Sequence, residues 1–414
     1  TGFALTGLVY LFLFAAFWLA APGLAAAMGL AVEEGSWLLR LAALDIPFFG
    51  LFFMAVHVLN GHRAFAREAM GNILYALTKA VGIGLLALYG ATVAGALLVN
   101  VLGSLVGLAL LLLLIGRISF ALDRQLARRI LTLALPIGLT GFGTQLLSSL
   151  DLWSLALFGR DIPEVVRGYY VAALNLARMP NLLAFVMTAV LVPTLARTLA
   201  DGDCDLARHT LAGALRFLAL ILLPSCVLIA IEAKPLLQLL FSVAYVPAAG
   251  LLQLLVFGHG LLNTLFLIAT AVLIAVDAQR TAALIALAAV PAALATNALL
   301  VPTFGAPGAA MAAVLVPLWA LVTAGRALAQ RLAWRPDRAM LGRAAAITMV
   351  IASLAWLLPS QGLWLLPELA SLALLLLLLA VLMGLLGWQD LAFLLPARLQ
   401  SRWGLGSVPA EEKR

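Results

Sequence analysis

The spacing of apolar runs constrains this chain more than any other feature. Stretches of about 20 residues with little or no charge recur along it, separated by short segments rich in charge, Gly or Pro. About 20 apolar residues is the length of helix that crosses the hydrocarbon core of a bilayer. Twelve runs fall at about 5–29, 37–60, 70–89, 92–115, 130–157, 168–195, 209–231, 249–275, 281–301, 306–325, 342–358 and 363–388. The connections are mostly short, so successive helices form antiparallel hairpins. Composition agrees: 65% of the residues are hydrophobic and 10% are charged, against about 25% charged in a soluble domain. A soluble enzyme, a disordered chain and a disulfide-built secreted domain are excluded. The expected fold is all-α, a polytopic membrane protein of about twelve spans.

Charge sets the expected orientation. Eighteen of the 25 Lys and Arg residues fall on alternate loops and the tail. They are Arg63 and Arg67; Arg117, Arg124, Arg128 and Arg129; Arg197 and Arg208; Arg280; Arg326, Arg331, Arg335, Arg338 and Arg343; and Arg398, Arg402, Lys413 and Arg414. The opposite loops carry only Arg40, Arg160, Arg167 and Lys234, with Glu33, Glu34, Asp161, Glu164, Glu232 and Glu368. Basic loops face the cytoplasm, so both ends, including the C-terminus, are expected there. The net charge of +7 then needs no nucleic-acid partner. Cys204 lies in a polar loop and Cys226 in an apolar run, which makes neither a disulfide nor a metal framework. The chain opens at Thr1 without an initiator Met, and the natural start is expected to lie upstream. The tail from about 389 to Arg414 is polar and receives no role.

Two stretches hint at an internal repeat. Tyr89-Gly90-Ala91 and Phe304-Gly305-Ala306 each close a helical hairpin, and each is followed by a run of small residues. They lie 26 and 24 residues after Arg63 and Arg280. A coincidence in an Ala-, Leu- and Gly-rich chain explains them equally well.

Ionisable groups inside spans are costly unless paired or wetted. Asp45, Lys79, Asp151, Arg178 and Arg216 meet that description. Asp151 and Arg178 lie at similar depth on either side of the turn near Pro163, so they are either a cavity-lining ion pair or a lock between two helices. Pro180 follows Arg178 and removes a backbone donor, which a bilayer tolerates only where protein or water satisfies the freed group. Arg178 is therefore a candidate anion-binding cation, and Asn175, one turn earlier, adds a donor on the same face. Lys79 lies near mid-membrane and is expected to face a wet interior. Asp45 could pair with Lys79 or with Arg40. Arg216 reads as a snorkelling side chain, and His57 and His259 read as helix contacts. Prolines at 136, 193, 224, 291 and 317 predict bent helices.

Several chemistries lack their motifs. No GxxxxGK[ST] phosphate loop, no HExxH, no metal-spaced His/Cys/acid cluster and no GxSxG occurs. No cofactor is expected. The longest outer connection, about 232–248, is largely apolar, which argues against an enzyme such as a membrane glycan polymerase.

The segment LARRILTLALPIGLTGFGTQLLSSLDLWSLALFG (126–159) continues into GYYVAALNLARMPNLLAFVMTAVLVPTLAR (168–197). With LLQLLFSVAYVPAAGLLQLL (236–255), it resembles the second lobe of Wzx-type polysaccharide flippases. These belong to the multidrug/oligosaccharidyl-lipid/polysaccharide exporter superfamily, whose members include lipid II flippases and MATE-type multidrug extruders. The resemblance implies two pseudo-symmetric lobes. Residues 1–120 would be a partial first lobe, four helices corresponding to family helices 3–6. Residues 121–330 would be the second lobe, helices 7–12, and 331–414 two extra helices and the tail. The implied function is flipping of a polyprenyl-diphosphate-linked oligosaccharide from the cytoplasmic to the outer leaflet of the bacterial inner membrane, for O-antigen, lipopolysaccharide or other surface polysaccharide. Arg178, Lys79 and Asn175 would hold the diphosphate. Asp151 and Asp45 would balance charge or respond to a coupling ion, H⁺ or Na⁺. Membrane lipid and a polysaccharide polymerase machinery would be partners. A multidrug/cation antiporter of the same fold is the alternative, followed by the glycan polymerase and a non-transporting scaffold.

Overall fold

The structure, a computed structural model, describes residues 2–62, 64–116, 123–159, 161–332, 338–357 and 362–384. Arg63, Arg117, Arg160, Arg335 and the tail from 389 to Arg414 lie outside the described residues. The described residues are helical almost throughout, with no strand among them. Among the described residues, ten helices or helical runs are long and apolar enough to cross a membrane, and eleven if the bent helix Arg124–Leu147 counts as one. An all-α polytopic membrane protein is therefore the observed fold. The expected spans at 130–157 and 168–195 are each divided into two helices, for reasons that define the site below.

Contacts divide the chain into two compact units, Thr1–Leu135 and Pro136–Arg414. The first contains α1 (Gly2–Ala27), α2 (Val32–Ala43), α3 (Asp45–Gly61), α4 (Phe65–Tyr89) and α5 (Val93–Ile115). Its core gathers Phe3, Phe52, Ala55, Leu59, Leu108 and Leu111. Lipid offers helices no hydrophobic gain on association, so close van der Waals packing through small residues must hold them. Helix α5 supplies such a stripe in Gly103, Ser104 and Gly107, all buried. A Cβ at Gly103 would lie 2.8 Å from Lys79 Cγ of α4, and one at Gly107 would lie 2.9 Å from the Phe52 ring of α3. The α4–α5 hairpin turns at Gly90, whose φ of 117° suits a residue without a Cβ. Thr92 then caps α5, its hydroxyl accepting from the Gly95 amide at 3.1 Å.

Helix α6 (Arg124–Leu147) runs across the division. The second unit continues with α7 (Leu150–Phe158), α8 (Glu164–Ala177), α9 (Asn181–Ala200), α10 (Cys204–Ile231), α11 (Ala233–Leu240) and α12 (Ala249–Leu255). After a π-helical segment at Val256–Asn263 come α13 (Thr264–Ala275), α14 (Gln279–Phe304), α15 (Ala306–Leu332), α16 (Arg338–Leu357) and α17 (Leu365–Leu382). Two large apolar clusters fill it. One joins α9, α13, α14 and α15 around Phe266, Leu195 and Ala286. The other joins α7, α8, α10, α12 and α15 around Tyr170, Leu155 and Leu252. A third seats α16 and α17 against α10 through Leu220, Ile347 and Leu372. The α14–α15 hairpin turns at Gly305, with φ 64°, as the α4–α5 hairpin turns at Gly90.

Glu232 and Glu368 are both buried, and neither carboxylate oxygen of Glu368 has a partner among the described residues. Glu232 follows the last residue of α10, outside the spanning segment. Burial, and secondarily the charge of Glu368, push its carboxyl up from 4.5 to about 7. A carboxyl raised in this way binds its proton more tightly in the folded state, so stability falls as pH rises between those values. We expect Glu232→Gln to raise the melting temperature of the detergent-solubilised protein at pH 8 and to leave it near the wild-type value at pH 4.5. An equal effect at both pH values would contradict the assignment.

Candidate functional site

Three interruptions of regular helix converge in the second unit. The first lies between α6 and α7. The chain there passes through Ser148 and Ser149, and the Ser148 carbonyl turns away from the helix ladder. The second is the turn at Arg178–Pro180, where the prolyl nitrogen cannot donate and the helix ends. The third is the π-helical segment Val256–Asn263. Single π turns are rare and concentrate at functional sites.

These interruptions satisfy one another. Arg178 Nη2 donates a very short hydrogen bond to the Ser148 carbonyl. Asn263 Nδ2 donates to Ser148 Oγ at 3.0 Å. Thr264 Oγ1 donates to Asn181 Oδ1, just beyond Pro180. The Ser148 carbonyl, freed by the first break, thus meets a side chain from the second, as a bilayer requires, and two side-chain hydrogen bonds tie the three breaks together.

Asp151 lies in the first turn of α7 with 3% of its surface exposed. Its Oδ2 accepts from Tyr170 Oη of α8 at 2.6 Å and from His259 Nε2 of the π segment at 2.9 Å. Tyr170 is fully buried and His259 is 1% exposed. Asp151 Oδ1 and His259 Nδ1 have no partner among the described residues. His259 sits between two glycines that bring backbones close. A Cβ at Gly258 would fall 2.5 Å from the Ala313 carbonyl oxygen of α15, and one at Gly260 2.9 Å from that of Ala177 in α8.

The expected Asp151–Arg178 ion pair does not form. Asp151 pairs with His259, and Arg178 turns to a carbonyl. The physical reason is the break at Ser148, which offers Arg178 an unpaired acceptor, while the π segment carries a closer cation-capable partner to Asp151. His259, expected as a simple helix contact, is the residue that sequence reasoning undervalued. The available signal was Gly258-His259-Gly260, a polar ring between two close-packing residues in an apolar run.

Arg178 borders a cavity of about 460 Å³ lined also by Thr144, Gln145, Ser148, Asn181 and Thr188. Gly141, Ala184, Leu267 and Ala271 complete the lining. The hydroxyls of Thr144, Ser148 and Thr188 donate to helix carbonyls, so Arg178 and the amides of Gln145 and Asn181 are the donors the pocket can offer an anionic or polyhydroxylated ligand. Arg178 Nε is buried without a partner among the described residues. Asn175 is exposed and does not line this cavity. The first residue past α8 is Arg178 itself, so the regular-helix spacing that put the two on one face ends there. A larger cavity of about 690 Å³ lies at the α3–α4 turn beside His62 and Arg67, away from any deep charge.

In the first unit, Asp45 Oδ2 accepts from Asn100 Nδ2 of α5 at 2.7 Å. Lys79 donates a very short hydrogen bond to Tyr75 Oη and lies 4.1 Å from that ring's centre. Among the described residues neither makes the expected Asp45–Lys79 or Asp45–Arg40 salt bridge. Arg40 instead lies over the Trp18 ring at 5.5 Å. Arg216 is exposed, and His57 packs on Phe53.

This fold, with a polar pocket inside an all-helical membrane unit, is that of a multi-pass transporter in the superfamily that joins lipid flippases and MATE proteins. The profile of the lipid II flippase MurJ family matches residues 2–386. The chain belongs to that family, which comprises flippases rather than enzymes. The superfamily is the one expected, but the family whose profile matches is the lipid II flippase family and not the Wzx-type polysaccharide branch that the resemblance implied; diffuse helix patterns are shared across the superfamily. Among solved structures, the chain is similar to a lipid II flippase MurJ in an inward closed conformation. That match has 13% identity and a TM-score of 0.73, covering 92% of this chain and 83% of the other. It is also similar to an inward-facing multidrug resistance MATE transporter, with 14% identity, a TM-score of 0.62 and 79% of each chain covered. A eukaryotic MATE transporter shows 14% identity and a TM-score of 0.61, covering 84% of this chain and 80% of the other. No curated protein sequence matches the chain.

Removing the phenol hydroxyl tests the buried network by itself. Tyr170→Phe leaves Asp151 with one donor fewer in an apolar surround, a loss of about 1–3 kcal/mol. The expected result is a lower melting temperature with unchanged helical content. An unchanged melting temperature would place that hydrogen bond outside the stability of the fold.

Proposed function

We propose that this chain moves a polyprenyl-diphosphate-linked saccharide between the leaflets of the bacterial cytoplasmic membrane by alternating access, with lipid II as the cargo. Membership of the lipid II flippase family supports the cargo class and the transport mode. The observation that carries the reading to residues is Arg178, half-buried beside this cavity with an Nε that has no partner among the described residues. A diphosphate is a compact anion whose oxygens accept several hydrogen bonds, and a guanidinium in a low-dielectric pocket meets it with directed donors. Hydroxyl and amide groups from Thr144, Gln145, Asn181 and Thr188 would face the saccharide. Lys79, half-buried on α4, is the corresponding deep cation of the first unit. Asp151 and Asp45 are held by His259, Tyr170 and Asn100, which favours a charge-balancing role over direct contact with an anion.

A multidrug reading would require an accessible acidic site for cationic drugs. The deep carboxylate of the second unit is 3% exposed and takes two hydrogen bonds, which favours the anionic cargo.

The test is a leaflet assay with the purified protein in vesicles. A fluorescently labelled short-chain lipid II analogue is added, and quenching by an impermeant reductant reports the fraction moved. Wild-type protein should move it, and Arg178→Ala should slow movement by at least about tenfold, the value of one charged hydrogen bond, at unchanged protein abundance. Movement of O-antigen-type lipid-linked sugar but not of the lipid II analogue would assign the cargo to surface polysaccharide. Normal flipping by Arg178→Ala would remove this residue from the mechanism.

A further inference from the structure

We infer that His259 is a proton-binding residue whose protonation raises the affinity of the Arg178 cavity for anionic cargo, so that a proton and the anion are taken up together. This rests on the reading above that the cavity receives a diphosphate.

The geometry supplies the proton's place. With Asp151 ionised its Oδ2 only accepts, and in that state His259 Nε2 donates to it across 2.9 Å. The neutral ring then carries its lone pair on Nδ1, which is buried and has no partner among the described residues. A proton arriving from water adds to that lone pair and leaves the same way, with no other bond made or broken. Protonation turns Asp151⁻ and neutral His259 into a balanced ion pair. Without the proton, the Asp151 charge has only neutral donors.

The link to Arg178 is short. Arg178 holds the carbonyl of Ser148, three residues before Asp151, and Asn263 of the His259 segment binds the same serine's hydroxyl. Tyr170 of α8 and Arg178, the residue that ends this helix, lie eight positions apart, about 12 Å along the axis. An uncompensated Asp151⁻ opposes an anion at Arg178, and a proton on His259 removes that opposition. Charges about 10 Å apart at an effective dielectric near 20 change an equilibrium by roughly tenfold. Linkage makes the effect mutual: the bound anion raises the proton affinity of His259 by the same factor.

The other titratable or charged groups near His259 are few. Helix α7 contributes Asp151, α8 contributes Tyr170 with Arg178 just past its end, and α10 contributes Cys226, whose Sγ would lie 3.3 Å from a Cβ at Gly260. Helices α12 and α13 contain none. On α9, α14 and α15 the nearest are Arg197, Arg280 and Arg326, each at least about 18 Å along its helix from Asn181, Asn297 or Ala313. Cys226 is a neutral thiol at physiological pH, and Arg216 of α10 keeps its charge. The carboxyl of Glu232, six residues past Cys226 at the end of α10, is raised to about 7, so the comparisons are made in a Glu232→Gln background, where the remaining pH response is that of the Asp151–His259 pair.

The experiment measures binding of inorganic pyrophosphate to the full chain in detergent by calorimetry, in sodium-free buffer at pH 6 and pH 8. Each variant is compared with wild type at the same pH, which cancels the probe's own protonation. Wild-type affinity should exceed that of His259→Gln by about tenfold at pH 6 and equal it at pH 8. Asp151→Asn, which removes the opposing charge, should bind at least as tightly as wild type at pH 6 and about tenfold more tightly at pH 8. Both variants weakening equally at both pH values would make the pair structural and overturn the proposal. A second readout stands even if pyrophosphate does not bind, an outcome that counts against the diphosphate reading alone. With ¹⁵N-labelled histidine, the resonance lost in His259→Gln should report proton uptake at Nδ1 on acidification, and less uptake in Asp151→Asn. A His259 resonance that does not titrate overturns the proposal.

Discussion

Inside a bilayer, a backbone group released from its helix has no water to turn to. Everything distinctive in the second unit follows from that constraint. The carbonyl of Ser148 is freed where α6 gives way to α7, and Arg178 satisfies it. Arg178 is in turn positioned by the end of α8, which Pro180 enforces. The break that frees one group is thus the break that places its partner.

The same economy governs the buried charges. An isolated ionised carboxylate in an apolar interior costs several kcal/mol, and breaking a buried pair costs about 3–5 kcal/mol. Asp151 avoids isolation through Tyr170 and His259 on two other elements. Glycines on each side of His259 let the π segment approach α8 and α15 closely enough for the ring to reach the carboxylate. The pair is therefore fixed by packing. One oxygen of the carboxylate and one nitrogen of the ring stay unpartnered among the described residues.

Much of this was readable from the order of residues. The apolar runs gave the membrane class and nearly all of the spans, because span length depends only on bilayer thickness and helix rise. Asp151 and Arg178 stood out because a charge in hydrocarbon is costly wherever it sits. Pro180 announced the interruption beside Arg178. Partner choice was not readable: Asp151 and Arg178 share a depth, and depth alone made them a pair. Asp45 and Lys79 were misjudged similarly, since Asn100 and Tyr75 lie closer than either predicted partner. The family branch was not readable either, because patterns such as Leu-Pro at 135–136 and Gly-Tyr at 168–169 report helix ends common to the superfamily rather than cargo.

Sequence by itself determined that this protein crosses a membrane many times as helices, and which few residues had to be accounted for there. Hydrophobicity and helix length are local properties, and they suffice for that. Tertiary structure decided that the carboxylate of α7 belongs to His259 and that the guanidinium past α8 faces a polar cavity. Those outcomes depend on where three helix breaks meet and how closely two glycines let backbones approach. Both are set by contacts between residues more than 100 positions apart, such as Asp151 and His259, whose distance in space no run of neighbouring residues encodes.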